Sequence, residues 1–145
     1  MNMAENDSDK FILTMTDPME EANVRLAALM KVTREAVIEE TNKGNDARGR
    51  LAGTLFMAAV NGDLRVVTHC LDIGIDPNWP RRNGMDVLRD IVGMGDARIE
   101  IIKFLISRGA DPNVGTIPVL RQIQGSSFCD NEKTIAFLRS IGARE

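Results

Sequence analysis

Few side chains in this sequence could do acid–base or nucleophilic chemistry. His69 is the single histidine, Cys70 follows it, and the other cysteine is Cys129. One imidazole cannot make a histidine metal pair, and two thiols this far apart make neither a disulfide framework nor a zinc site. His69 and Cys70 are successive helix positions, about 100° apart, so they do not face each other as base and nucleophile. The pattern predicts an outward-facing His69 and a core Cys70 whose buried thiol is inert. Gly84, Gly93 and Gly95 are not followed by the lysine-serine or lysine-threonine pair of a phosphate loop. Asp63, Asp76, Asp96 and Asp111 stand where caps and turns need an acid. The expectation is a chain that is not an enzyme, with no catalytic, cofactor-binding or metal-binding residues. One segment stands apart. Trp79-Pro80-Arg81-Arg82-Asn83 places a tryptophan beside two arginines, residue types enriched at protein-binding hot spots.

The elements that would position that segment belong to a chain of 145 residues, enough for one domain with or without an appendage. Hydrophobic residues at 43% and charged residues at 27% exclude global disorder. No apolar run approaches the roughly 18 residues of a membrane-spanning helix. Residues 1–10 are polar and acidic, without the basic start and apolar stretch of a secretory signal. With two unpaired thiols, that predicts a cytoplasmic protein. A net charge of -3, no tyrosine and one tryptophan argue against a dedicated nucleic-acid binder. Charge is uneven: residues 1–45 hold nine acids and five bases, residues 46–145 twelve acids and thirteen bases. The two parts are expected to have different roles.

The second part repeats itself. Asp76-Pro77-Asn78 returns as Asp111-Pro112-Asn113, 35 residues later, preceded by Gly74-Ile75 and Gly109-Ala110. Gly142-Ala143 begins a third copy 33 residues on. Val87-Leu88-Arg89-Asp90-Ile91 returns as Val119-Leu120-Arg121-Gln122-Ile123, and Leu55-Phe56-Met57-Ala58 is its counterpart in the first unit. Gly62-Asp63 and Gly95-Asp96 are 33 apart. The physics of one unit is helix, turn, helix, then a protruding turn. Leu55, Ala58 and Ala59 share one helix face, and Val66, Val67, Cys70 and Leu71 share another. Asp63 is placed to cap the second helix, Gly74 and Gly109 to end one in the left-handed region, and Asp-Pro-Asn to start a turn. Such a unit cannot bury its own apolar face, so units stack.

These phrases resemble the ankyrin repeat, over residues 46–145, as about three divergent units at 46–78, 79–113 and 114–145. The family's threonine-proline-leucine-histidine tetrad is nowhere complete; its proline stands only at Pro118. Two more residues separate Gly95 from Gly109 than separate Gly62 from Gly74. The resemblance implies an all-α, ankyrin-repeat α-solenoid that holds a protein partner by its repeat tips and concave face. Carried over by position, the tip candidates are Pro80, Arg82, Asn83 and Met85, beside Trp79 and Arg81, which are candidates by their hot-spot residue type. On the first helices the positions are Val60 and Asn61, Gly93 and Met94, then Gly125 and Ser126. Trp79 either projects from the tip or folds back onto the turn. Arg89 and Arg121 replace the family's buried histidine; a charge there is not expected to be buried unpaired, so either these helices are displaced or the arginines reach towards the tip or towards an acid such as Asp86 or Asp90.

Ahead of the repeats, residues 1–16 read as a disordered tail in which Phe11-Ile12-Leu13 could dock on something. Thr16-Asp17-Pro18 is a helix start. Leu26, Leu29, Met30, Val37 and Ile38 then predict one amphipathic helix over 17–44, either capping the solenoid or offered to another chain. The expected function is a non-catalytic protein–protein interaction module, such as an adaptor. The alternatives are a stoichiometric inhibitor or immunity-type protein masking a partner enzyme, or a protein that self-associates through the N-terminal helix. The expected partner is a protein, with no small-molecule substrate, nucleic acid or membrane, and the chain is a monomer or homodimer.

Overall fold

The computed structural model describes residues 28–81, 83–115, 117–124 and 130–145, and all regular secondary structure among them is helical. Helix α1, Arg34–Thr41, starts at Thr33, whose extended backbone lets Oγ1 accept the Ala36 N–H at 3.2 Å. Helix α2, Asn45–Asn61, follows directly. Its inward face is small, with Ala47, Gly49, Ala52, Ala58 and Ala59 around Leu55, so neighbouring helices approach closely. Helix α3, Leu64–Asp72, is strongly amphipathic and buries Val66, Val67, Cys70 and Leu71.

Two further helix pairs follow. Helix α4, Val87–Val92, leads through a 3₁₀ turn, Gly95–Arg98, into α5, Ile99–Ser107. Helix α6, Val119–Gln124, is paired with α7, Glu132–Ser140. The first helices pack in series, α2 on α4 and α4 on α6. One core runs through all three pairs, with Leu55, Leu88, Ile91, Ile102, Leu105, Leu120, Ile123 and Leu138 fully enclosed. Each such side chain contributes about 1.5–3 kcal/mol of burial.

The recurring Asp-Pro-Asn phrase has a structural reason. Asp76 Oδ1 accepts the Asn78 N–H at 2.8 Å, and Asp111 Oδ1 accepts the Asn113 N–H at 2.8 Å. Each asparagine amide then reaches the end of the next unit. Asn78 Nδ2 donates to the Gly109 carbonyl at 2.9 Å, and its Oδ1 accepts the Asp111 N–H at 2.8 Å. Asn113 repeats this with the Gly142 carbonyl at 3.1 Å and the Arg144 N–H at 2.7 Å. The geometry depends on Gly74 and Gly109, at φ 103° and 102°, which turn the chain out of each helix.

The N-terminal helix departs from expectation. Its described part is not continuous over 17–44. The chain is helical at 28–29, turns, and restarts at Arg34. Lys31 N–H and Val32 N–H bond back to the Ala28 and Leu29 carbonyls, tightening the last turn. Tertiary bonds hold the break: His69 Nε2 lies 3.2 Å from the Val32 carbonyl, and the Arg34 guanidinium donates to the Asp72 carbonyl. The expected apolar stripe divides accordingly, Leu29 and Val37 buried, Met30 and Ile38 exposed. His69 is therefore half-buried rather than outward-facing. The expected tail over 1–16 and helix start over 17–27 lie outside the described residues.

Candidate interaction surface

The turn between the first and second helix pairs is built from the chain's own backbone. The Arg81 N–H donates to the Met85 carbonyl at 3.0 Å and the Gly84 N–H to the Arg81 carbonyl at 2.9 Å. Asn83 Oδ1 accepts the Met85 N–H at 2.9 Å. The result is a closed turn with Pro80, Asn83 and Gly84 exposed and Met85 half-buried. Arg82 lies outside the described residues. Trp79 folds back. It is half-buried against the core, with the Arg48 guanidinium 5.9 Å from its ring centre.

Arg81 does not project as a free tip cation. Its guanidinium lies 4.0 Å over the Phe56 ring and its Nε donates to Asp90 Oδ2 at 2.7 Å. A flexible arginine gives up its freedom here because one face meets an aromatic ring and its edge meets a nearly buried carboxylate. The tip is thereby fastened to α2 and α4 together.

Arg89 and Arg121, equivalent by repeat position, behave differently. Arg121 is exposed. Arg89 is only 3% exposed, and every part of its guanidinium is bonded. Nη1 donates to Asp86 Oδ2 at 2.6 Å, Nε to the Ile117 carbonyl at 2.7 Å and Nη2 to the Pro112 carbonyl at 3.1 Å. Asp86 also caps α4 by accepting the Arg89 N–H at 2.9 Å. Burial pushes the Asp86 carboxyl above the usual carboxylate range, opposed by the Arg89 N–H and guanidinium. The pair links the tip to the following loop.

On the first-helix face, Val60, Asn61 and Met94 are half-buried. The Val60 carbonyl accepts from Arg98 Nε at 3.0 Å and Nη2 at 2.7 Å. Asn61 Nδ2 is buried without a hydrogen-bond partner. Gly93 is half-buried, and Gly125 and Ser126 lie outside the described residues, as does Cys129. Cys70 is fully buried, and burial pushes its thiol up to about 12, so it is protonated at neutral pH.

Two clefts flank the tip. One, of about 180 Å³, opens between Pro80, Met85 and Arg89 on one side and Val114, Gly115 and Ile117 on the other. The second, of about 450 Å³, lies between Pro80 and Trp79 and the start of α2 at Asn45, Asp46, Arg48 and Gly49. Sequence reasoning did not anticipate Phe56, Arg48 or Arg98 as partners of this surface. For Arg98 a signal existed: it is one of the extra residues between Gly95 and Gly109. Among the described residues, no group of three or more histidine, cysteine or acidic side chains could hold a metal ion. No described helix is long and apolar enough to cross a membrane. Among known proteins, no family model, no curated protein and no solved structure matches the chain.

Proposed function

We propose that this chain is a non-catalytic binding module of the ankyrin-repeat kind, holding a protein partner through the tip at residues 79–85 and the adjoining first-helix face. The observation that carries the reading is a projecting turn held rigidly at its base, by Arg81 to Phe56 and Asp90, with exposed Pro80 and Asn83 between two clefts. A rigid loop on a packed scaffold loses little conformational freedom on binding, which is how such surfaces gain affinity. The helix pairs joined by Asn78 and Asn113 agree with the repeat likeness of the sequence. The action would be steric and stoichiometric. Where the partner is an enzyme, the same contact would make the chain an inhibitor.

The test uses tagged full-length protein in lysate of its native cell. The Pro80→Glu variant changes an exposed position and leaves Trp79, Arg81 and the Asn83–Met85 bond in place. A one-to-one partner lost in the variant, with the melting temperature unchanged, supports the reading. A partner retained moves the interface elsewhere. The self-association reading rests on exposed Met30 and Ile38. A dimer mass in solution that Ile38→Asp abolishes would establish it.

A further inference from the structure

The two clefts beside the tip each hold an arginine, and the two arginines differ. Arg89, in the smaller cleft, is enclosed and bonded at all three nitrogens. Arg48, in the cleft of about 450 Å³, is exposed. Among the described residues its guanidinium pairs with no acid and meets only the Trp79 ring, at 5.9 Å. Asp46 lines the same cleft, but it stands two positions before Arg48 on α2, and residues so spaced do not face each other. The neighbouring arginines are taken, Arg50 by Glu40 at 2.9 Å and Arg81 by Asp90 at 2.7 Å. Arg81 displays the complete arrangement in this same fold: an aromatic ring under the guanidinium and a carboxylate on its edge. Arg48 has the ring and lacks the carboxylate.

We infer that the cleft between Trp79, Pro80 and the start of α2 receives an acidic side chain of the protein partner, whose carboxylate pairs with Arg48. The inference rests on the tip being the partner surface. Charge complementarity selects the occupant. A guanidinium lying over a ring keeps its planar N–H fork free, and that fork matches a carboxylate in bidentate geometry. The residues beside the acid lie on Trp79 and Pro80, which line the cleft next to Arg48. The cleft falls within the range of ligand pockets, roughly 300–1,000 Å³, so it has room for the acid and its neighbours. Asp46 in the same lining repels a phosphate group, at nearly two negative charges, more than a carboxylate at one.

The test is selection of random peptides displayed on phage against the full-length protein, followed by calorimetry with the synthesised peptides. Peptides carrying aspartate or glutamate are expected to dominate. Arg48→Gln should weaken them about tenfold, the loss of one charge-assisted hydrogen bond. Arg48→Lys keeps the charge without the fork and should recover part of that loss. Arg48→Glu should turn the selection towards basic peptides. Arg48 is exposed, so the melting temperature should stay unchanged in all three variants. Peptides that Pro80→Glu displaces, but that carry no acid or are indifferent to Arg48→Gln, overturn the inference and leave the tip reading standing. Selected peptides indifferent to Pro80→Glu, or no selected peptide at all, overturn both.

Discussion

The turns at Gly62-Asp63 and Gly95-Asp96 begin from the same two residues, 33 positions apart, and do different jobs. Asp63 caps its own helix, accepting the N–H groups of Arg65 at 3.1 Å and Val66 at 3.4 Å from α3. After Asp96 the chain makes a 3₁₀ turn before α5 begins at Ile99, so its carboxylate is too far back to cap that helix. It caps α7 of the next pair instead. Asp96 Oδ1 accepts the Thr134 N–H at 2.9 Å and hydroxyl at 2.8 Å, and the Asp96 N–H donates to the Asp130 carbonyl at 2.7 Å. In the opposite direction, Arg98 closes the carbonyl end of α2 at Val60. Two added residues convert a local cap into a clamp on both neighbouring units.

Removing Ala97 and Arg98 together should break the difference most severely. The shortened turn returns Asp96 to its own helix, and α7 loses its cap. Hydrogen exchange should show α7 amides losing protection while α3 amides keep theirs. Asp96→Ala should come next. It should lower the melting temperature more than Asp63→Ala, because it unfastens two units rather than one helix end. Asp63→Ala should cost about 1 kcal/mol in denaturant unfolding, the ordinary value of a lost cap. Arg98→Ala should cost a similar amount, about 1 kcal/mol, with exchange increasing at the end of α2. Equal effects of Asp63→Ala and Asp96→Ala would remove the distinction.

The smallest effect is in acid. Burial raises the Asp96 carboxyl, but the Thr134 hydroxyl and N–H and the Lys133 N–H outweigh it and hold it below the usual carboxylate range. A carboxyl lowered on folding contributes stability above its unfolded value, about 3.9, that is lost as pH falls through the lowered value. The melting-temperature gap between wild type and Asp96→Asn should therefore narrow below about pH 4. A constant gap would mean that the carboxylate charge is immaterial to the clamp.

Much of the helix-pair arrangement was legible because its joints are local. Gly74, Gly109 and the two Asp-Pro-Asn phrases are short-range signals that specify a turn wherever they occur. The break near Thr33 was not legible. The stripe from Leu26 to Ile38 is a sound helical period, and what interrupts it are bonds to His69 and Asp72, some 37 and 38 residues away. A turn follows the first Asp-Pro-Asn phrase, as that phrase requires, but what Arg81 bonds to there was not legible. Arg81 and Asp90 are nine apart with a turn between them, a spacing with no local rule.

The sequence by itself determined the glycines that end helices, the Asp-Pro-Asn turns that follow them and, in the first helix pair, which face each helix buries. Those follow from capping, periodicity and turn chemistry, which act within a few residues. Only the tertiary structure decided which charges pair, which of Arg89 and Arg121 enters the core, and which helix Asp96 caps. A side chain's partner depends on distances that exist only once the helices are packed, and an arginine or aspartate will bond with whichever group packing brings within reach.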